Sequence, residues 1–146
     1  MLLFVYGTLR RGGGNHDKLA GARYVSSART VAGYELVDMG GYPAVLEQGN
    51  DAIAGELYEV DDVLSRALDA FEEVPSLYER KRVRLDPINQ QSRRDCLYPY
   101  ADAYVMTRER AGGAPRLEGG DWLSVSEFST TTARRPGLPE LPNAQG

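Results

Sequence analysis

Residues 53–75 read IAGELYEVDDVLSRALDAFEEVP, a strand pattern that runs directly into a helix pattern. Ile53 to Val60 alternate between two faces, which predicts a β-strand. Asp61 is a preferred residue type at helix N-caps, and the apolar side chains after it recur at helical spacing. Those side chains are Val63, Leu64, Ala67, Leu68 and Phe71. The stretch therefore predicts one strand and one amphipathic helix, which Pro75 ends.

Shorter strand patterns occupy much of the remaining chain. Leu2–Tyr6 is a continuous apolar run that stops at Gly7, as expected for a strand buried on both faces. A short helix through Leu19 is expected after Asn15 or Asp17, either of which is a suitable cap. Further strands are predicted over Ala22–Val37 with a break at Gly33, Ala44–Leu46, Tyr78–Leu85 and Ala101–Met106. The predicted fold is α+β, a small mixed β-barrel with flanking helices and one clear helix between the fourth and fifth strands.

Length and composition indicate one domain. The chain has 146 residues, of which 42% are apolar, and this length is too small for two well-cored domains. We assign the domain to residues 1–129. Residues 130–146 are rich in proline and lack apolar periodicity, so they are expected to form a loose tail. A polar loop is expected over Asn89–Arg94.

The composition also excludes several kinds of partner and chemistry. A net charge of -4 argues against nucleic-acid binding. The N-terminus lacks the positive region of a signal peptide, and no apolar run is long enough to span a membrane, so a cytoplasmic protein is expected. His16 and Cys96 are the only histidine and cysteine, which excludes an internal disulfide and the usual His/Cys zinc sites. No metal or cofactor is therefore expected, and the oligomeric state is not readable from the sequence.

The first candidate for chemistry is the strand end Tyr6-Gly7-Thr8-Leu9. Glycine permits close backbone approach, so the amides of Gly7, Thr8 and Leu9 are able to face an anionic group. An ordinary strand end followed by a turn would show the same four residues, and the residues alone favour this simpler interpretation.

The second candidate is the acidic pair at the end of the predicted helix. Glu72 follows Leu68 by four residues and lies at the border of the apolar stripe, whereas Glu73 falls on the polar face. A carboxylate near a helix C-terminus and beside apolar neighbours has a raised pKa, which suits a general acid or base. A solvated pair bridged to Arg80 or Lys81 is the alternative, which we prefer for Glu73.

Other residues carry weaker signals. Tyr58, Tyr78 and Tyr104 line a pocket or simply pack in the core. Arg80, Arg82 and Arg84 share one strand face, where they bind an anion or, as is usual for such a row, are solvated.

Two blocks of sequence resemble the γ-glutamyl cyclotransferase superfamily, and in particular its γ-glutamylamine cyclotransferase branch. The first block is Val5-Tyr6-Gly7-Thr8-Leu9-Arg10-Arg11-Gly12 followed by Asn15-His16. The second runs from Gly55-Glu56-Leu57-Tyr58-Glu59-Val60 to Leu68-Asp69-Ala70-Phe71-Glu72, Pro75, Leu77-Tyr78 and Arg80. The resemblance covers roughly residues 1–106. It departs from many relatives at Glu73-Val74, and the region after Arg108 matches nothing in the family pattern.

The resemblance implies a small β-barrel enzyme that cyclises a γ-glutamyl group to 5-oxoproline and releases a free amine. It places the catalytic glutamate on Glu72 and the substrate-binding turn on Tyr6, Gly7, Thr8 and Leu9, with Tyr78 a further substrate-binding residue. The partner implied is a small-molecule γ-glutamyl substrate, and no cofactor is implied.

Three other functions remain open at this point. The same fold without turnover would be a γ-glutamyl or acyl-amine binding module. An unrelated isomerase or hydrolase would use Glu72 with Tyr78 or Tyr104. A scaffold protein would use the C-terminal tail.

Overall fold

The computed structural model describes residues 1–87 and 98–123. The strands are β1 (Leu2–Val5), β2 (Arg23–Arg29), β3 (Tyr34–Asp38), β4 (Pro43–Glu47), β5 (Ala54–Glu59), β6 (Glu79–Arg84) and β7 (Tyr100–Val105). The helices are a 3-10 helix (His16–Leu19), α1 (Asp62–Phe71) and α2 (Arg108–Ala111). The loop predicted over residues 89–94 and the tail predicted over residues 130–146 lie outside the described residues. In the part that is described, no helix is both long and apolar enough to cross a membrane.

Strand β7 organises the sheet, whose order is β2-β5-β1-β7-β4-β3. One edge of β7 pairs along its whole length with β6, antiparallel, from Glu79↔Val105 to Arg84↔Tyr100. The opposite edge meets two strands in succession, both parallel: β1 at Leu3↔Asp102 and β4 at Val45↔Val105. Strands β1 and β4 therefore share one edge of β7, and the chain segments where β1 ends and β4 begins lie close together.

The α+β class is confirmed, but the predicted barrel is not fully formed. Within the described residues, strand β2 at one end of the sheet approaches β6 only just beyond the ends of the two strands, at an isolated bridge between Thr30 and Leu85. Two hydrogen bonds flank it, Val31 N–H to the Arg84 carbonyl at 3.1 Å and Asp86 N–H to the Arg29 carbonyl at 2.8 Å. Both strands end here, so no continuous ladder forms and the sheet is not a closed barrel.

Helix α1 confirms the predicted cap and corrects the predicted apolar face. The Asp61 carboxylate accepts the backbone N–H of Leu64 at 2.8 Å. Of the predicted apolar face, Leu68 is buried and Leu64 and Phe71 pack partly buried against the core, whereas Ala67 is exposed and Val63 is 72% exposed. Ser65 and Glu72 are also buried. The helix also ends at Phe71, before Pro75. The prediction is thus wrong at Val63 and Ala67, and the buried face extends instead to Ser65 and to Glu72, which lie at positions i and i+7 of one side of the helix.

The position of α1 among the strands also differs from the prediction. The Ala22–Val37 segment breaks at Gly33 into β2 and β3, so α1 follows the fifth strand rather than the fourth. The core lies on both faces of the sheet. On β1, Leu3 and Val5 belong to one buried cluster and Phe4 to the other, which confirms a strand buried on both faces.

Candidate active site

A pocket opens where β1 ends and β4 begins, and the C-terminal end of α1 forms part of its wall. It encloses about 340 Å³, including the part that is open to solvent. Its lining residues are Phe4, Val5, Tyr6, Gly7, Thr8, Leu9, Tyr42, Pro43, Glu72, Tyr78 and Tyr104. The structure thus brings together every residue that the sequence predicted for the site, although the role of each stays a prediction.

The turn after β1 packs tightly against the start of β4. A Cβ atom on Gly7 would lie 2.6 Å from Cγ of Pro43, so only glycine fits between these two segments. The carbonyl oxygens of Gly7 and Thr8 accept backbone hydrogen bonds from Arg10 at 3.1 Å and Asn15 at 2.8 Å. The backbone N–H groups of Gly7, Thr8 and Leu9, by contrast, donate to no acceptor within residues 1–87 and 98–123. The turn therefore offers unpaired donors at the pocket.

A buried carboxylate holds the chain segment after the turn. Glu56, on β5, is 6% exposed and accepts the backbone N–H of Arg11 at 3.0 Å and the hydroxyl of Tyr58 at 2.9 Å. Burial, and then this bond to Glu56, raise the pKa of Tyr58. The Arg10 guanidinium lies 3.7 Å from Glu56 and donates to Asp121 at 2.8 Å. No local pattern predicted this cluster, because Arg10, Glu56 and Asp121 are far apart in the chain.

Glu72 is the residue at which α1 ends. Its backbone N–H donates to the Leu68 carbonyl at 2.8 Å, and the residue is 7% exposed. Glu73 is exposed and has a φ of 57°, so the chain turns away from the helix axis immediately after Glu72. Glu72 is therefore buried and Glu73 exposed, as predicted. Glu72 is the carboxylate that lines the pocket.

Two tyrosines of the pocket wall, Tyr6 and Tyr78, have their hydroxyls bonded to the backbone of the protein. Tyr6 donates to the Tyr104 carbonyl at 2.6 Å and accepts the N–H of Val45 at 3.2 Å. Tyr78 donates to the Pro43 carbonyl at 2.6 Å. These bonds join β1, β4, β7 and the segment before β6, so the tyrosines fix the shape of the pocket.

Tyr104 belongs to a polar network behind the pocket. Its hydroxyl donates to Asp69 on α1 at 2.8 Å. The pKa of Tyr104 is raised, and burial is the largest cause. The hydrogen bond to Asp69 and the charge of Glu72 raise the pKa further. Arg80 lies 3.4 Å from the Asp69 carboxylate and donates to the Ser65 hydroxyl at 2.8 Å. Arg80 thus supports α1 through Asp69 and Ser65, a role that differs from the anion binding, the solvated row and the bridge to the Glu72-Glu73 pair considered for it.

The sequence missed Tyr42 and Pro43 as pocket residues. Met39 to Pro43 gave only a turn signal, and the closeness of this turn to Gly7 depends on β4 joining β7 beside β1. The glycine-proline turn itself was the available clue, but it did not indicate what the turn faces.

Fold and pocket together define a small α+β protein with a concave site, lined by one carboxylate, at the end of its first strand. Residues 3–124 match the protein-family model described as gamma-glutamyl cyclotransferase, AIG2-like. A Vibrio cholerae relative, whose name assigns it provisionally as a gamma-glutamylcyclotransferase, is 40% identical over 122 residues, or 83% of this chain and 94% of the relative. Gamma-glutamylaminecyclotransferase B of Danio rerio is 32% identical over 138 residues, or 88% of this chain and 66% of the relative.

A solved structure agrees with these relatives. The crystal structure of an AIG2-like protein from Mus musculus superposes with a TM-score of 0.64 at 28% identity, covering 80% of this chain and 85% of the mouse chain. The chain belongs to the gamma-glutamyl cyclotransferase, AIG2-like family.

Proposed function

We propose that the protein converts a γ-glutamyl amine or γ-glutamyl amino acid to 5-oxoproline and the free amine, with Glu72 as the general acid and base. One observation carries the proposal: the buried Glu72 shares a pocket with a turn whose backbone N–H groups are unpaired within the described residues. A proton acceptor and a set of anion-binding donors are the two features that this reaction requires.

The chemistry is an intramolecular acyl transfer. The α-amine of the γ-glutamyl group attacks its own γ-carbonyl carbon, a C–N bond closes the five-membered ring, and the bond to the departing amine breaks. The attacking nitrogen loses two protons in passing from the α-ammonium to the lactam N–H, and the departing nitrogen gains two and leaves as an ammonium. Glu72 carries these protons in turn from the first nitrogen to the second, so the carboxylate ends as it began. Because nucleophile and electrophile belong to one molecule, holding the substrate in its folded conformation removes a large part of the barrier.

The turn supplies the complementary charge. Amides of Gly7, Thr8 and Leu9 are suited to the α-carboxylate of the substrate or to the oxyanion that forms on its γ-carbonyl. Among the described lining residues, Glu72 is the one acidic side chain. A single carboxylate is sufficient, since the two protons lost by the attacking nitrogen are the two gained by the departing nitrogen and pass through Glu72 in turn.

The leaving group is proposed to be an amine. Support comes from the sequence blocks that resemble the γ-glutamylamine branch and from the Danio rerio relative, which is named a gamma-glutamylaminecyclotransferase. Tyr42, Pro43 and Tyr78 give the pocket an aromatic and apolar wall, which suits the alkyl part of such an amine.

The test is release of 5-oxoproline from a panel of γ-glutamyl amines and γ-glutamyl amino acids. We expect wild type to release it, and Glu72→Gln to lower kcat by about 10²–10⁴-fold, the usual contribution of a general acid or base. Glu73→Gln is the matched control, since it removes the neighbouring exposed carboxylate and should retain most of the activity.

Two results would contradict the proposal. Equal activity in Glu72→Gln and wild type would remove Glu72 from the proton transfers. Calorimetric binding of 5-oxoproline without turnover of any panel member would instead favour the binding module considered above.

A further inference from the structure

Asn15 contacts the turn from behind the pocket. It is 5% exposed and is not among the lining residues. Its side-chain Nδ2 donates to the hydroxyl oxygen of Thr8 at 2.9 Å, and its backbone N–H donates to the Thr8 carbonyl at 2.8 Å. Asn15 therefore fixes both the side chain and the backbone of one residue that does line the pocket.

The direction of the side-chain bond determines what Thr8 is able to do. An amide nitrogen donates and does not accept, so the Thr8 oxygen is the acceptor and its own hydrogen is left for another partner. Within residues 1–87 and 98–123, no acceptor receives that hydrogen. Thr8 is also partly exposed, unlike Gly7 and Leu9 on either side of it. Its hydroxyl is thus an unused donor beside the unpaired N–H groups of the turn.

We infer that Asn15 is a positioning residue for substrate, because it keeps the Thr8 hydroxyl available as a hydrogen-bond donor to an anionic group in the pocket. The inference rests on the function proposed above. The side chain of Asn15 reaches the turn through Nδ2, and its Oδ1 is buried without a partner in the described part of the chain. If an oxygen stood in the place of Nδ2, it would accept a hydrogen bond from the Thr8 hydroxyl. That hydroxyl would then no longer be available to donate to a ligand.

The test is a double-mutant cycle of Asn15→Ala and Thr8→Val. The readouts are KM for the best γ-glutamyl substrate and the calorimetric Kd of 5-oxoproline. A hydrogen bond to a charged group is worth enough for each single change to raise KM and Kd by about 10-fold. The double variant should be no worse than Thr8→Val alone, because Asn15 acts through the hydroxyl that Thr8→Val already removes. Thr8→Ser, which keeps the hydroxyl, should stay close to wild type.

A control separates positioning from folding. Leu19 is buried in the 3-10 helix that follows Asn15, so Leu19→Ala should lower Tm but leave KM within about two-fold, because it removes packing rather than a contact to Thr8. If the two single effects multiply in the double variant, or if Asn15→Ala lowers Tm without raising KM, the inference is wrong while the proposed function stands. If wild type neither releases nor binds 5-oxoproline, both are wrong.

Discussion

The hydroxyl of Tyr6 lies 2.6 Å from the carbonyl oxygen of Tyr104, to which it donates a hydrogen bond. The same hydroxyl accepts the backbone N–H of Val45 at 3.2 Å. The Tyr6 hydroxyl therefore lies at the edge of β7, at the point where pairing with β1 ends and pairing with β4 begins. A side chain supplies there the hydrogen bonds that a continuous strand would otherwise supply.

Tyr6→Phe is expected to destabilise the protein. It leaves the Tyr104 carbonyl and the Val45 N–H buried without this partner, at a cost of about 1–3 kcal/mol for each group that stays unpaired. Urea denaturation measures the change. Tyr100→Phe is the control, because Tyr100 is 45% exposed and its replacement should change the unfolding free energy by no more than about 0.5 kcal/mol. Equal stability of both variants would show that the bridge is not needed.

Gly7→Ala is expected to impair activity more than stability. The new Cβ would lie 2.6 Å from Cγ of Pro43, so the turn must move relative to β4. Displacement of a positioned substrate by about 1 Å costs on the order of 100-fold in rate, and we expect a loss of this size in kcat/KM. Gly113→Ala, where an added Cβ meets nothing within 4 Å, should match wild type. Full activity of Gly7→Ala would argue against a role for the turn.

Tyr78→Phe is expected to act on the pocket wall. The Tyr78 hydroxyl donates to the Pro43 carbonyl at 2.6 Å, so its removal leaves a buried acceptor unpaired and loosens the start of β4. Thermal unfolding should report a loss of about 1 kcal/mol. Steady-state kinetics should show a rise in KM that is smaller than that of Gly7→Ala. A large fall in kcat with unchanged stability would instead assign the hydroxyl to the reaction.

Stability is expected to fall at alkaline pH because of two buried tyrosines. Burial, with hydrogen bonds to Asp69 and Glu56 respectively, raises the pKa of Tyr104 and of Tyr58 above the ordinary value of 10.0. The unfolded chain therefore ionises these phenols first, so their contribution is complete below about pH 10 and is lost as the pH rises above it. Unfolding free energies measured from pH 8 to 11 should fall less steeply for Tyr104→Phe. An unchanged slope would contradict this assignment.

Local patterns were sufficient to predict most elements of this fold. The Asp61 cap, the break at Gly33 and the stop at Gly7 each depend on a few neighbouring residues, and each appears in the structure close to its predicted position. The face of α1 was mispredicted at Val63, because apolar type was taken to mean burial, whereas Ser65 is buried through its bond to Arg80. At these two positions tertiary contacts, rather than residue type, decide burial, whereas Leu64, Leu68 and Phe71 pack against the core as predicted.

The site was predictable only through resemblance. From the residues alone, an ordinary strand end was a better explanation of Tyr6–Leu9 than an anion-binding turn. For Glu72, a solvated helix end was as good an explanation as a general acid or base. What unites them is the succession of β1 and β4 along one edge of β7, and parallel pairing of distant segments leaves no local sequence signal. For the same reason the Glu56–Arg10–Asp121 cluster was not predicted.

Pro43 touches both sides of the pocket, since its ring faces Gly7 and its carbonyl accepts the Tyr78 hydroxyl. A single residue thus determines how far apart the turn and the opposite wall stand. If the proposed function holds, position 43 is the first place at which to vary the size of the leaving group that the pocket accepts. A substitution there is expected to change the spacing between the turn and Tyr78, and with it both the width of the cavity and the position of the backbone donors.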